Sequence, residues 1–571
     1  MSAPVFSLRA PLPVTRQAEA WEIGRRSHQA FFFAALTGIV VGLMVVALEH
    51  VTLEWLLDQL SDRPLWFRAG GPVVGLVLAW AALRWVAGGA SPTTADEYIR
   101  NFHEEAHERL PTRPALGRVL ASIVTIGWGG AMGLEGASQY GGAVIGSAGQ
   151  RRYARFFSRE DAKLLMVAGA AAGISAIFKA PATGALFAIE VPYRADLARR
   201  NVLPAMVASA ASYLTFALVN GTEPLFPIEG GLPFGLRDLA GALAVGLLCG
   251  VGARLFCVAL SYVKHRRLAG VPIVVRIGAA GLVLAFLAYL TEVSADAPLS
   301  LGPGYDVIRW ATDPSHAQWL VLVLLVARVG AVLATVGGGG VGGVFIPLVV
   351  IGALTGRFAS GAFGMADSDL LLVIGMAAFL GAGYRTPLAG VMFVAETTGQ
   401  PGVVVPAVLA TAAAQLVIGE ASVSSHQRRG RLGHLERRFE LPVSAVMQTD
   451  VRTVPPDATI EEFLTVHLVG HRQRAVPVVD ARNRYLGLAV MDEVVAVRRD
   501  AWSTTDIRTT ARVGAPVGRT TWLVRDVVRS MEEGDTDVLP VVDGEDRFVG
   551  VVTTADVLQL DAILERTQGA R

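Results

Sequence analysis

Gly133-Leu134-Glu135-Gly136-Ala137 sets one carboxylate among glycines in the middle of a long apolar region. A charged side chain at that depth is costly, and by default it has a function. The glycines leave the backbone bare, and the small residues from Ser138 to Ser147 suit a helix that begins there. A helix N-terminus presents unpaired N–H groups and the positive end of its dipole, which together make an anion site. Glu135 is then a tethered anion that competes with a free one for the same place. The plainer alternative is a glutamate that only caps its own helix.

A second copy favours the first reading. Set against the chain 206 residues on, without a gap, Gly133, Gly136 and Gly146 fall on Gly339, Gly342 and Gly352. Further along, Gly169, Pro181, Gly184, Phe187 and Glu190 fall on Gly375, Pro387, Gly390, Phe393 and Glu396. A register held through Pro, Phe and Glu is more than the chance likeness of Gly/Ala-rich helices. Duplicated halves with glycine-broken helices bring several helix ends to one midplane site. In this register the second copy carries Val341 where the first carries Glu135.

Composition agrees with a membrane setting. Hydrophobic residues make up 52% of the chain and charged residues 17%, with 62 glycines, the pattern of a many-span membrane protein. A net charge of +1 and the lack of a basic stripe interleaved with aromatics argue against nucleic acid. Cys249 and Cys257 share one apolar span and read as packing residues. No nucleophile–base pair or metal-ligand cluster appears in the spans, so an enzyme is not expected.

Residues 1–28 are polar and mixed, an expected cytoplasmic helix on the inner face, without the short apolar core and small-residue cleavage site of a signal peptide. Apolar spans follow near 30–50, 70–88 and 116–132, shorter broken helices over 133–222, and further spans from 236 to 419. Several are too short to cross a bilayer alone, so re-entrant or tilted helices are expected. Arginine-rich loops at 151–163, 194–200 and 264–267 belong to the cytoplasm, and the acidic loop 292–313 to the outside. A basic run over 426–438, with Arg428, Arg429, Arg431, Arg437 and Arg438, follows the last span and reads as a linker on the inner side.

From Phe439 the pattern changes to short strands and helices. Arg474 to Asp480 followed by Tyr485-Leu486-Gly487 is echoed by Asp537 to Asp543 followed by Phe548-Val549-Gly550. These units resemble a tandem CBS-domain pair, one over 439–502 and the second, with the tail, over 503–571. The resemblance implies that Thr553 and Asp556 of the second unit hold a nucleotide ribose, an adenine nucleotide being the expected ligand. The first unit has Val490 and Glu493 at those places. A purely structural dimerisation module is the alternative, and no cofactor is required in that case.

Over 29–425 the chain resembles the CLC family of chloride channels and chloride/proton antiporters. The glutamate motif stands here as Gly133 to Ala137, the G-x-F-x-P motif as Gly343-Val344-Phe345-Ile346-Pro347, and a long signature runs from Gly169 to Glu190. The resemblance implies an all-α polytopic membrane domain with duplicated, inverted-repeat halves, followed by the α/β cytoplasmic CBS pair. It also implies a homodimer among membrane lipids, in the plasma (inner) membrane, with both termini cytoplasmic. Glu135 is then the gating glutamate. Gly133, Gly136, Gly343, Phe345 and Ile346 become anion-binding positions.

The departures from the family are as informative. Leu134 replaces a basic residue that would draw anions to the outer mouth, and Ala137 replaces a proline. The family's serine motif is replaced by Ser91 to Asp96, where Thr93 or Thr94 supplies the hydroxyl. The family's central tyrosine falls near Val423. Proton-coupled members carry a second glutamate directly after the position of Glu190, and this chain has Val191. These residues favour a channel-like or weakly proton-coupled chloride conductor. Alternatives are an antiporter with another internal proton route, a fluoride-selective relative, and, in another class, a CBS-regulated divalent-cation transporter.

Overall fold

The computed structural model describes residues 14–104, 110–157, 163–228, 231–265, 270–365, 368–430, 441–467, 475–534, 536–557 and 559. The chain divides into two compact units, Met1–Arg431 and Leu432–Arg571.

The first unit is helical. In chain order it contains α1 (Val14–Glu49), α2 (Asp58–Ser61), α3 (Leu65–Ala81), α4 (Ala95–His103), α5 (Thr112–Gly127), α6 (Glu135–Arg152), α7 (Leu164–Phe178), α8 (Pro181–Glu190) and α9 (Val202–Asn220). Then come α10 (Leu236–His265), α11 (Ile273–Ala295), α12 (Tyr305–Thr312), α13 (Gln318–Gly337), α14 (Phe345–Ala362), α15 (Leu370–Tyr384), α16 (Pro387–Thr398) and α17 (Val404–Ile418). Among the described residues, eight helices are long and apolar enough to cross a membrane. From Val14 the first helix runs without a break into the first span. Part of the 1–28 segment, residues 1–13, lies outside the described residues, as does most of the basic linker, over 431–440.

The duplication is visible element by element, and it corrects the register expected from sequence. Helices α7 and α15 both have 15 residues and start 206 apart. Each ends in a left-handed residue, Lys179 (φ 52°) or Arg385 (φ 58°), and the next helix opens on a proline at N1, where its missing N–H costs nothing. Helices α6 and α14, however, both have 18 residues and start 210 apart. So do the turns before them, with Gly129 (φ 88°) answering Gly339 (φ 87°). The connection from α14 to α15 is four residues shorter than that from α6 to α7. Glu135 therefore corresponds to Phe345, and Val341 to Ala131.

Glycine-on-glycine contact holds each helix pair. A Cβ on Gly142 would meet the carbonyl O of Gly169 at 2.1 Å, and one on Gly352 the carbonyl O of Gly375 at 2.3 Å. Here α6 packs on α7, and α14 on α15, with backbones in contact, which only glycine permits. Cys249 and Cys257 are free and buried on α10.

The second unit repeats itself 63 residues apart. Strand β1 (Ala475–Val479) pairs antiparallel with β2 (Tyr485–Val490), and β4 (Val538–Val542) with β5 (Phe548–Thr553). The short β3 (Gly518–Arg519) lies parallel to β4. The two hairpin turns exchange backbone bonds, Tyr485 N–H to Asp546 O (3.2 Å) and Phe548 N–H to Asn483 O (2.8 Å). Alternating burial in the strands supplies two small cores, around Val478 and around Val541.

Candidate functional site

The starts of α6 and α14 meet head to head. Gly133 and Gly343 form an antiparallel bridge, N–H to O at 3.0 Å one way and 2.8 Å the other. Just before it, the Ala131 N–H donates to the Thr335 hydroxyl and the Val341 N–H to the Thr125 hydroxyl, both at 3.1 Å. All three contacts obey the 210-residue register, so the two helix starts lie across a local twofold axis. Two positive dipole ends converge there, each with N–H groups that the helix itself cannot use.

The Glu135 carboxylate lies between them. Its Oε1 accepts from the N–H of Phe345 at 2.7 Å and from that of Ile346 at 3.4 Å. The residue is 2% exposed, and among the described residues Oε2 has no partner. Space for it comes from glycine. A Cβ on Gly133 would stand 1.8 Å from Oε2, and one on Gly343 would stand 2.2 Å from Oε1. A Cβ on Gly136 would meet the Thr94 hydroxyl at 2.3 Å, and that hydroxyl donates to Gly342 O at 3.3 Å. Thr94 is buried against both helix starts, whereas the Thr93 hydroxyl pairs with Ser91 at 2.9 Å. Of the residues singled out from sequence, Glu135, Gly133, Gly136, Gly343, Phe345, Ile346 and Thr94 come together, and Thr93 stands apart.

Phe345, the twofold counterpart of Glu135, turns its side chain into an aromatic cluster. Its ring lies 4.5 Å from that of Phe178, 5.0 Å from Phe187, 5.0 Å from Phe393 and 6.3 Å from Tyr384. Phe178 and Tyr384 are 206 apart, as are Phe187 and Phe393, so the cluster keeps the twofold pattern. Tyr384 was not apparent from sequence. Its hydroxyl lies against the N–H of Val344, next to the two N–H groups that hold Glu135. The signal was its register with Phe178. Val423 binds Gly383 O through its N–H at 2.9 Å, which sets its backbone beside Tyr384.

The family model for voltage gated chloride channels matches residues 74–419. The chain belongs to that family. Among the relatives of this voltage gated chloride channel family member is the voltage-gated ClC-type chloride channel ClcB of Salmonella typhimurium, 28% identical over 408 residues, which cover 66% of this chain and 94% of that protein. A CLC-type fluoride/proton antiporter superposes with a TM-score of 0.62 at 20% identity, covering 71% of this chain and 98% of that one. A eukaryotic CLC transporter superposes at 0.59 and 18% identity, covering 92% and 97%. At those identities the likeness is one of fold. The CBS-domain model matches 443–500 and 519–562, so the family member carries a CBS pair. It is an integral, multi-pass membrane protein.

In this CLC protein Glu190 and Glu396 cap each other's repeat. Glu190 accepts from the N–H groups of Leu388 (3.2 Å) and Ala389 (2.9 Å) at the start of α16. Glu396 accepts from those of Ala182 (2.9 Å) and Thr183 (2.8 Å) at the start of α8, and from the Thr183 hydroxyl (2.6 Å). Val191, directly after Glu190, is fully buried, and its carbonyl accepts from the Gln427 amide at 2.8 Å. The same amide donates to Tyr384 O at 2.7 Å, so Gln427 ties the ends of α8 and α15 together.

In the CBS unit, Asp556 Oδ2 accepts from both the N–H (2.8 Å) and the hydroxyl (2.6 Å) of Thr553. Its Oδ1 accepts from the Gln448 amide at 2.6 Å. In the first repeat, Glu493 is ion-paired to Arg512 at 2.8 Å. The first repeat thus has an ion pair where the second has the Thr553–Asp556 pair.

Proposed function

We propose that this protein passes chloride or another small anion across the membrane along a pathway gated by Glu135. One observation carries the reading: a carboxylate seated on the first N–H groups of α14, with its second oxygen unpartnered. What holds that carboxylate is a site for any small anion. Ionised, Glu135 occupies the place; protonated, it loses its claim on the N–H groups and leaves. Acid on the side open to Glu135 therefore favours flux.

Proton coupling is absent or weak in this reading. Val191 has no proton to give, and Glu190 is committed to the α16 N-terminus. The similar structure described as a fluoride/proton antiporter supports a second reading, in which protons travel by another internal route. The Thr553–Asp556 pair supports nucleotide binding once per subunit, at the second CBS repeat, with Gln448 giving way. The subunit pairs with a second copy, with both termini in the cytoplasm.

The test is purified protein in liposomes, with chloride and proton flux recorded together and fluoride run in parallel. Anion-selective flux that rises as pH falls, with little uphill proton movement, is the expected result. Glu135→Gln stays in the unclaimed state, so its flux should lose most of the pH dependence. Chloride-driven proton pumping would replace the channel-like reading with the antiporter. Cation-selective reversal potentials would end both, and preference for fluoride would change the substrate. A pH profile unchanged by Glu135→Gln would reduce that residue to a helix cap.

A further inference from the structure

The last apolar helix, α17, ends at Ile418, and four arginines gather on the turn that follows it. Arg254, on α10, donates through Nη1 to Val417 O (3.4 Å), and Arg385, at the left-handed end of α15, donates through Nη1 to Gly419 O. Arg194 and Arg429 take one oxygen each of Glu420, Nη1 to Oε2 at 3.0 Å and Nη2 to Oε1 at 3.1 Å. Backbone pairing brings these two together: the Arg194 N–H donates to Arg428 O (2.8 Å) and the Ala195 N–H to Arg429 O (3.1 Å). Arg385 lies within reach of the charges of Glu420, Arg194 and Arg429. Among the described residues, Glu420 is the one carboxylate bonded to any of the four, and the buried Nε groups of Arg194 and Arg385 have no partner.

Cations belong at a helix C-terminus, and one or two donors satisfy the last carbonyls of α17. Four guanidinium groups around a single carboxylate are more than a cap requires, and like charges this close repel. The cluster is short of negative charge. Its surroundings say which anion completes it. Arg254 stands on an otherwise apolar face, where Val251, Leu255 and Val258 of the same helix are exposed, as is Leu416, four residues before Glu420. On a spanning helix such a face meets lipid, and an arginine is tolerated there when its head reaches the polar layer. Guanidinium groups bind phosphate through paired N–H donors. A lipid at the rim of the last span would meet the apolar face with its acyl chains and the arginines with its headgroup.

We propose that Arg194, Arg254, Arg385 and Arg429 form a binding site for the phosphate of an anionic phospholipid, with Glu420 as a built-in competitor for the same guanidinium groups. The site is independent of how anions cross the membrane, and its test measures no flux. A cluster that only caps α17 predicts the opposite response of Glu420: removing its charge would loosen the turn, and lipid would make no difference.

The experiment follows thermal unfolding of the full-length protein in detergent micelles titrated with phosphatidylglycerol, phosphatidylcholine or inorganic phosphate. Phosphatidylglycerol should raise the unfolding temperature in a saturable way, and the other two should not. Arg254→Gln and Arg385→Gln should each raise the mole fraction of phosphatidylglycerol that gives half the effect by about fivefold. Glu420→Gln should lower it, because two guanidinium groups are released. Arg63→Gln, at an exposed arginine between α2 and α3, should leave it unchanged. No response to phosphatidylglycerol, an equal response to phosphatidylcholine, or a titration that both arginine variants leave in place would overturn the proposal. A matching shift with inorganic phosphate alone would overturn it too, replacing the lipid by a free anion. If the arginine variants do not fold, Glu420→Gln decides alone: a lowered half-effect upholds the site, and an unchanged or raised one returns the cluster to a helix cap.

Discussion

The half of the membrane unit built from α5–α8 and the half built from α13–α16 are nearly the same object, yet only one opens its central helix on a carboxylate. Helix lengths, glycine contacts, left-handed caps and the threonine exchange all recur. At the one position that faces the axis, the first half has Glu135 and the second Phe345. Symmetry supplies the donors, two helix starts aimed at one point. In the proposed gating, function comes from breaking it, because two carboxylates on that axis would repel each other and none would leave the site ungated.

The comparison breaks most sharply if the glutamate is expelled without being changed. Gly343→Ala places a methyl 2.2 Å from Oε1. Each ~1.4 kcal/mol taken from the seated carboxylate raises the vacant fraction about tenfold, so neutral-pH flux should rise by roughly ten- to a hundredfold and lose its pH dependence. Flux assays against pH check this, and a wild-type profile would show that the site does not confine the carboxylate.

The glycine contacts sharpen the likeness of the halves. Gly142→Ala and Gly352→Ala each push a methyl into a carbonyl of the neighbouring helix, and each should cost about 1–3 kcal/mol of stability. Thermal unfolding of the two should move together. A large disparity would mean that the halves share geometry but not energetics.

The threonine exchange should cost less. Thr125→Val and Thr335→Val each strip the acceptor from one buried N–H, at about 1–3 kcal/mol, with the smaller figure expected because no atom is forced into contact. The same unfolding assay applies, and a ratio near one is the expected result.

The smallest effect separates the two capping glutamates. Glu396 has one more hydrogen bond than Glu190, from the Thr183 hydroxyl. Thr183→Ala should cost about 0.5–1.5 kcal/mol and leave transport unchanged. Glu190→Gln should leave the ratio of proton to chloride flux as it is in wild type. A changed ratio would return Glu190 to a proton path.

Much of this was legible in the sequence. The 206-residue register of α7–α8 with α15–α16 shows because Gly, Pro, Phe and Glu each serve a repeated contact: close helix packing, a helix start, the aromatic cluster and a cap on the other repeat. Glu135 stands out because ionised groups between glycines are rare at membrane depth. What stayed hidden was the four-residue slip in the connection before α15. Connections on a surface carry no periodicity, so nothing in their residues marks a deletion, and a gapless reading set Val341 in place of Phe345. Tyr384 was overlooked because an aromatic at a helix end reads as packing. Arg254 was overlooked because its partner is a backbone carbonyl, which leaves no trace in the side-chain pattern.

The reciprocal caps of Glu190 and Glu396 bear on how fast this protein can work. Each carboxylate is pinned to the other repeat by charge-assisted bonds, and the Gly133–Gly343 bridge fastens the halves again at the axis. A cycle in which one half rocks against the other would have to tear these fastenings on every turnover. A frame riveted in this way leaves the work to moving side chains. Releasing one side chain breaks only its own few hydrogen bonds and needs no collective domain motion, which takes microseconds to milliseconds. In the proposed gating, throughput then follows how often one carboxylate swings clear, and the scaffold around it behaves as a bearing that stays still while the latch turns.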